Sequence, residues 1–237
     1  MPYRRLPNTN QARLRSLRKA VSMGDTFDLA FPYKMLEDAK SFLVRYEQAL
    51  FQYKQCSEKQ SSTNKKHQNT IKLARLYISH FIQVLHMCIV RNEIKPVNKP
   101  LYGLDENSST VPDLNSEENL LEWGKKVIEG ERQRTMKGGV PIYNPAIAKV
   151  RVHYDVFVES YNDQKVLQNN TARTIENISQ LNEAADVLIL EIWDQVEAYF
   201  SGLPQPARLN KCQEYGVVYY YRRGEEEEKF TQSYHST

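Results

Sequence analysis

Arg4, Arg5, Arg13, Arg15, Arg18 and Lys19 all precede Asp25, the first acidic residue of the chain. Cations at this density can neutralise phosphates and give salt-dependent binding, so these six are the candidate contact residues for nucleic acid or for an acidic partner. The net charge of the whole chain is only +3, which argues against a general polyanion binder and makes the distribution of charge the informative quantity. Four glutamates at 225–228 give the other end the opposite sign. The same cations could instead solvate a helix that packs by Leu14 and Leu17, or meet the acidic tail of a neighbouring subunit. A tyrosine-rich run at 215–221, followed by Arg222 and Arg223, could stack bases; tyrosines on a packed strand are the alternative.

Other chemistry finds little support. None of the five histidines has a glutamate three positions before it, so the paired motif of a di-metal helical bundle is missing. His80 and His86 lie six residues apart, roughly 120° around a helix axis, and read as structural. Asp155, Glu159 and Asp163 form an acidic row that reads as a solvated face rather than an acid–base pair. The sequence has no phosphate loop, dinucleotide fingerprint, nucleophile elbow or zinc spacing. The expectation is a protein that is not an enzyme and needs no cofactor.

Those residues must be carried by helices. Glycine is scarce at 9, and a hydrophobic fraction of 41% suffices for a core. Cys56, Cys88 and Cys212 are odd in number and never form a CxxC pair, as expected for reduced thiols. With short apolar runs and no secretory signal pattern, the expected location is cytoplasmic, with no membrane span.

Thr9 or Asn10 can cap a first helix that Gly24 ends. Its Leu14, Leu17, Ala20 and Val21 share one side, with Arg15, Arg18 and Lys19 pointing away. Apolar residues then recur at helical spacing from Leu36 to Tyr53 and again from Ile71 to Ile89, separated by a polar stretch at 57–69 that reads as a hairpin tip. Pro96 closes this unit. Residues 95–115 have loop composition, Asn115 can cap a shorter helix with Glu118, and Asn144-Pro145 marks another helix start. Stripes from Ile147 to Tyr161 and from Ile175 to Val196, interrupted at 162–173, predict a second hairpin. Tyr46, Ala49, Leu50 and Tyr53 align with Tyr154, Phe157, Val158 and Tyr161, suggesting an internal repeat. The run at 215–221 predicts a strand whose partner is either 140–143 or another chain.

The opening Met-Pro-Tyr-Arg-Arg-Leu-Pro-Asn-Thr, the stretches 74–83, 102–106 and 123–131, and the tyrosine-rich run together resemble an uncharacterised family of bacterial helical proteins. The resemblance covers nearly the whole chain. It implies the same helical architecture and no catalytic residue.

The fold expected is mainly all-α: an elongated antiparallel four-helix bundle of two similar hairpins, with accessory short helices and a short C-terminal strand. Its segments are a basic arm and helix at 1–32, hairpins at 33–96 and 144–202, a connector with one helix at 97–143, and a strand with an acidic tail at 203–237. Residues 33–202 are expected to form one domain. The function expected is that of a structural or protein-interaction bundle whose partner is another protein or a second copy of itself; the alternative is nucleic-acid association through the basic arm.

Overall fold

The computed structural model describes residues 2–25 and 29–222. The chain is mainly α-helical. In order come β1 (Tyr3–Arg4), α1 (Asn10–Ser22), α2 (Tyr33–Val90), a 3-10 helix (Pro96–Tyr102), α3 (Glu117–Met136), α4 (Ile147–Tyr199), α5 (Gln205–Glu214) and β2 (Tyr219–Tyr220). The expected hairpins do not form. Residues 57–69 and 162–173 are helical throughout, so α2 is one helix of 58 residues and α4 one of 53. The physical reason lies in what those segments lack: with no glycine or proline, nothing stops the backbone ladder, and a loss of apolar period alone does not end a helix.

The apolar stripes survive with different partners. The chain divides into two compact units, residues 1–55 with 172–237, and Cys56–Thr171. In the first, Leu36, Ala39, Phe42 and Tyr46 of α2 pack with Ala185, Ile189, Ile192 and Val196 of α4, together with Leu14, Leu17 and Ala20 of α1. The Tyr46 hydroxyl donates to Asn182 Oδ1 at 2.6 Å. In the second, Ile71, Ala74, Ile78, Phe81 and Leu85 of α2 pack with Val150 and Phe157 of α4 and with Leu120 and Val127 of α3. Each half of α2 thus meets the opposite half of α4, rather than folding back on itself.

Residues expected at hairpin tips face one another instead. In the second unit, Gln164 donates to Asn64 Oδ1 at 3.2 Å, and His67 Nδ1 lies 2.9 Å from Ser160 Oγ. Partly buried Gln60, Thr63 and Thr70 recur at three- and four-residue spacing around the buried His67, as on the seam of a two-stranded coiled coil. A polar seam keeps the helices paired with little apolar burial.

Caps follow local chemistry. Thr9 caps α1, its Oγ1 accepting from the Ala12 amide at 3.2 Å. Ser116, one residue after the expected Asn115, caps α3 and accepts from the Asn119 amide at 3.1 Å. The expected C-terminal strand is real but only two residues long, and its partner is neither 140–143 nor another chain. It pairs antiparallel with β1 at the N-terminus, Tyr3 opposite Tyr220 and Arg4 opposite Tyr219. The acidic tail at 225–228 lies outside the described residues. One 18-residue stretch within α2 is long and apolar enough to cross a bilayer by composition. Core helices of globular proteins meet the same criterion, and α2 supplies apolar residues to both cores.

Candidate anion-binding cleft

The basic N-terminal segment is tied down along its length in the first unit, and the ties sort its cations into two groups. Arg4 reaches Asp194 of α4 at 2.5 Å and Glu197 at 3.7 Å. Burial opposes its charge, but the Asp194 hydrogen bond and the two carboxylates outweigh burial and raise its pKa. Arg13 donates from Nε and Nη2 to the two oxygens of Asp186, both at 2.7 Å, and that bidentate bond raises its pKa further. Arg18 meets Glu47 of α2 at 2.8 Å. Arg4 and Arg13 tie this segment to α4, in keeping with packing of α1 by Leu14 and Leu17, while Arg18 and Glu47 form an exposed pair.

Arg5, Arg15 and Lys19 are exposed, and none has a carboxylate partner among the described residues. They line one cleft of about 370 Å³. Its first wall is the end of β1 and the segment running into the Thr9 cap; its second is a face of α1 bearing Ala12, Arg15, Ser16 and Lys19 at helical spacing. The opposite wall is Gly216 and Val218, with the buried Trp193 beneath. Lys19 Nζ reaches the Gln213 carbonyl at 3.5 Å, a long contact to a neutral acceptor.

Gly216 makes this wall possible. Its φ of +92° is in the left-handed region, and a Cβ there would lie 2.8 Å from the Ser16 carbonyl oxygen. Ser16 Oγ in turn donates to the Gly216 carbonyl at 3.3 Å. Beyond it, the Arg5 amide donates to the Val218 carbonyl at 2.8 Å, extending the β1–β2 ladder by one pair. Strand alternation then places Tyr3, Arg5, Val218 and Tyr220 on one face. Arg4 and Tyr219 occupy the other face, where the Tyr219 hydroxyl donates to Glu197 at 2.6 Å. Burial, reinforced by that bond, drives the Tyr219 pKa well above the usual phenol value.

Other polar groups unnoticed in the sequence belong to the second unit. His67, which is buried, contacts Ser160 Oγ through Nδ1 and Glu117 Oε2 through Nε2 at 3.3 Å. Hydroxyl, imidazole and carboxylate thus form a chain of triad type. Ser160 sits inside α4, however, where neighbouring amides are committed to the helix ladder and cannot form an oxyanion hole. Glu131, Arg134 and Tyr102 form a buried cluster: the Tyr102 hydroxyl donates to Glu131 Oε2, and Arg134 Nη2 donates to Glu131 Oε1 at 2.8 Å. Arg134 also donates to the Val140 carbonyl, and Glu131 accepts the Ile142 amide. Every member is occupied in pinning the chain around α3.

His86 is buried, and neither ring nitrogen finds a hydrogen-bond partner among the described residues. His80 is exposed, as are Asp155, Glu159 and Asp163. The cysteines are free thiols, two of them buried. No group of three or more metal-ligating side chains occurs among the described residues.

No protein-family model matches the chain, and comparison with curated proteins and with solved structures finds no match. This agrees with resemblance to an uncharacterised family.

Proposed function

We propose that this protein is a non-enzymatic binding protein that holds a phosphate-bearing polyanion in the cleft beside α1. The observation that carries this reading is the separation of the six basic residues: Arg4, Arg13 and Arg18 each meet a carboxylate, while Arg5, Arg15 and Lys19 line one concavity with no carboxylate partner among the described residues. Arginine and lysine lining a cavity of pocket size supply both the charge and the donors that an anion needs.

Heparin, a sulfated polyanion, provides the test as titration by anisotropy across a range of salt. Affinity should fall linearly with salt on logarithmic axes, and the slope should shrink when Arg5, Arg15 and Lys19 are all changed to glutamine. Equal binding by the wild type and that triple variant would remove the cleft from consideration.

A protein partner is the second reading. Val44 and Phe51, exposed at 56% and 61%, lie one heptad apart on α2 outside the first core. Light scattering with Phe51→Lys tests it: a self-associating protein should become monomeric.

A further inference from the structure

We propose that the cleft's ligand is single-stranded nucleic acid, with Tyr3 and Tyr220 stacking unpaired bases beside phosphates held by Arg5, Arg15 and Lys19; this rests on the cleft being an anion site. Two observations meet on the β1–β2 ribbon. The outward strand face alternates aromatic and cleft-lining residues: Tyr3 then Arg5 on β1 and its extension, Tyr220 then Val218 on β2 and the residues before it. The rings lead directly onto the basic wall. Second, both tyrosines keep more than a third of their surface in water although large aromatics gain by burial. Tyr3 is 37% exposed and Tyr220 is 39% exposed, with centroids 5.8 Å apart. Arg222 places its guanidinium 4.3 Å from the Tyr3 ring centroid, adding a cation at the aromatic end.

Rings beside cations are what an unpaired strand requires, because every base presents a π-face and every nucleotide a phosphate. A duplex hides its base faces in the stack and would leave the tyrosines idle. An acidic peptide would use the cations and have no need of the rings. The ribbon itself is held rigidly from behind by the Arg4–Asp194 and Tyr219–Glu197 contacts, so the platform is positioned before a ligand arrives.

The experiment is fluorescence anisotropy of the full chain with a labelled oligothymidylate of about 12 nucleotides, its duplex with oligoadenylate, heparin and polyglutamate. The single strand should bind more tightly than the duplex or polyglutamate. Tyr220→Ala should weaken the single strand about tenfold while leaving heparin unchanged, and Tyr220→Phe should restore the affinity, since the ring and not the hydroxyl does the stacking. Tyr220 is half exposed, so unchanged helicity by circular dichroism should accompany the loss. Equal affinity for duplex and single strand, polyglutamate binding as tight as the oligonucleotide, or full affinity in Tyr220→Ala would overturn the assignment. In those cases heparin binding shows whether the cleft remains an anion site; loss of heparin binding as well would end both readings.

Discussion

Arg13 and Asp186 face each other across α1 and α4 with two parallel hydrogen bonds of 2.7 Å, joining the N-terminal helix to a residue 173 positions later. Arg15, two residues on and about 200° around the same helix, lines the cleft instead. One short helix thereby carries both a cation paired with a carboxylate and a cation that lines the cleft.

That separation predicts opposite phenotypes. Arg13→Gln should destabilise the fold by about 1 to 2 kcal/mol, a modest figure because Asp186 remains partly open to solvent. The expected fall in Tm is about 2–4 °C per kcal/mol for a chain of this size. Arg15→Gln should leave Tm unchanged and weaken polyanion binding. Differential scanning calorimetry paired with a binding titration distinguishes the two, and similar Tm losses would contradict the assignment.

The Glu131–Arg134–Tyr102 cluster should be far more sensitive. Arg134→Met leaves Glu131, fully buried, without its cation, and should cost about 3 to 5 kcal/mol. Tyr102→Phe removes one donor and should cost about 1 to 2 kcal/mol. Urea denaturation gives both numbers, and loss of amide-exchange protection in α3 should accompany the larger one.

His86 makes stability depend on pH. Burial, and then the charge of Lys99, lower its native pKa below the ordinary 6.5. The unfolded chain therefore takes up a proton at higher pH than the native state does. Stability is complete above about pH 6.5 and falls as the pH drops toward the lowered native value. Urea midpoints measured from about pH 7.5 to 5 should decline in the wild type, and the decline should be smaller in His86→Leu.

Gly216→Ala tests the cleft wall. The left-handed φ and the 2.8 Å approach to the Ser16 carbonyl mean that a methyl group must push the segment leading to β2 away from α1. A loss above about 1 kcal/mol is expected, with weakened heparin binding. Gly202→Ala, where a Cβ would meet nothing within 4 Å, serves as the control.

Periodicity marks many of the residues that leave water, although Ile175, at the start of one stripe, is 52% exposed. Leu36, Tyr46, Ile78, Phe157 and Ile192 were legible as stripe positions because helical spacing puts them on one face, whatever lies opposite. Thr9 was legible as a cap because capping needs only neighbouring backbone. The cations were equally visible as a group. Local pattern could not say which stripe meets which, since any apolar face gains by burial against any other. The continuous ladders of α2 and α4 decided it, turning two expected hairpins into one antiparallel pair of helices within each unit. In the same way, Arg13 and Arg15 are equivalent in type and near neighbours in sequence. Only the tertiary structure, by placing Asp186 before one and the wall of Gly216 and Val218 before the other, determined which cation is paired and which lines the cleft.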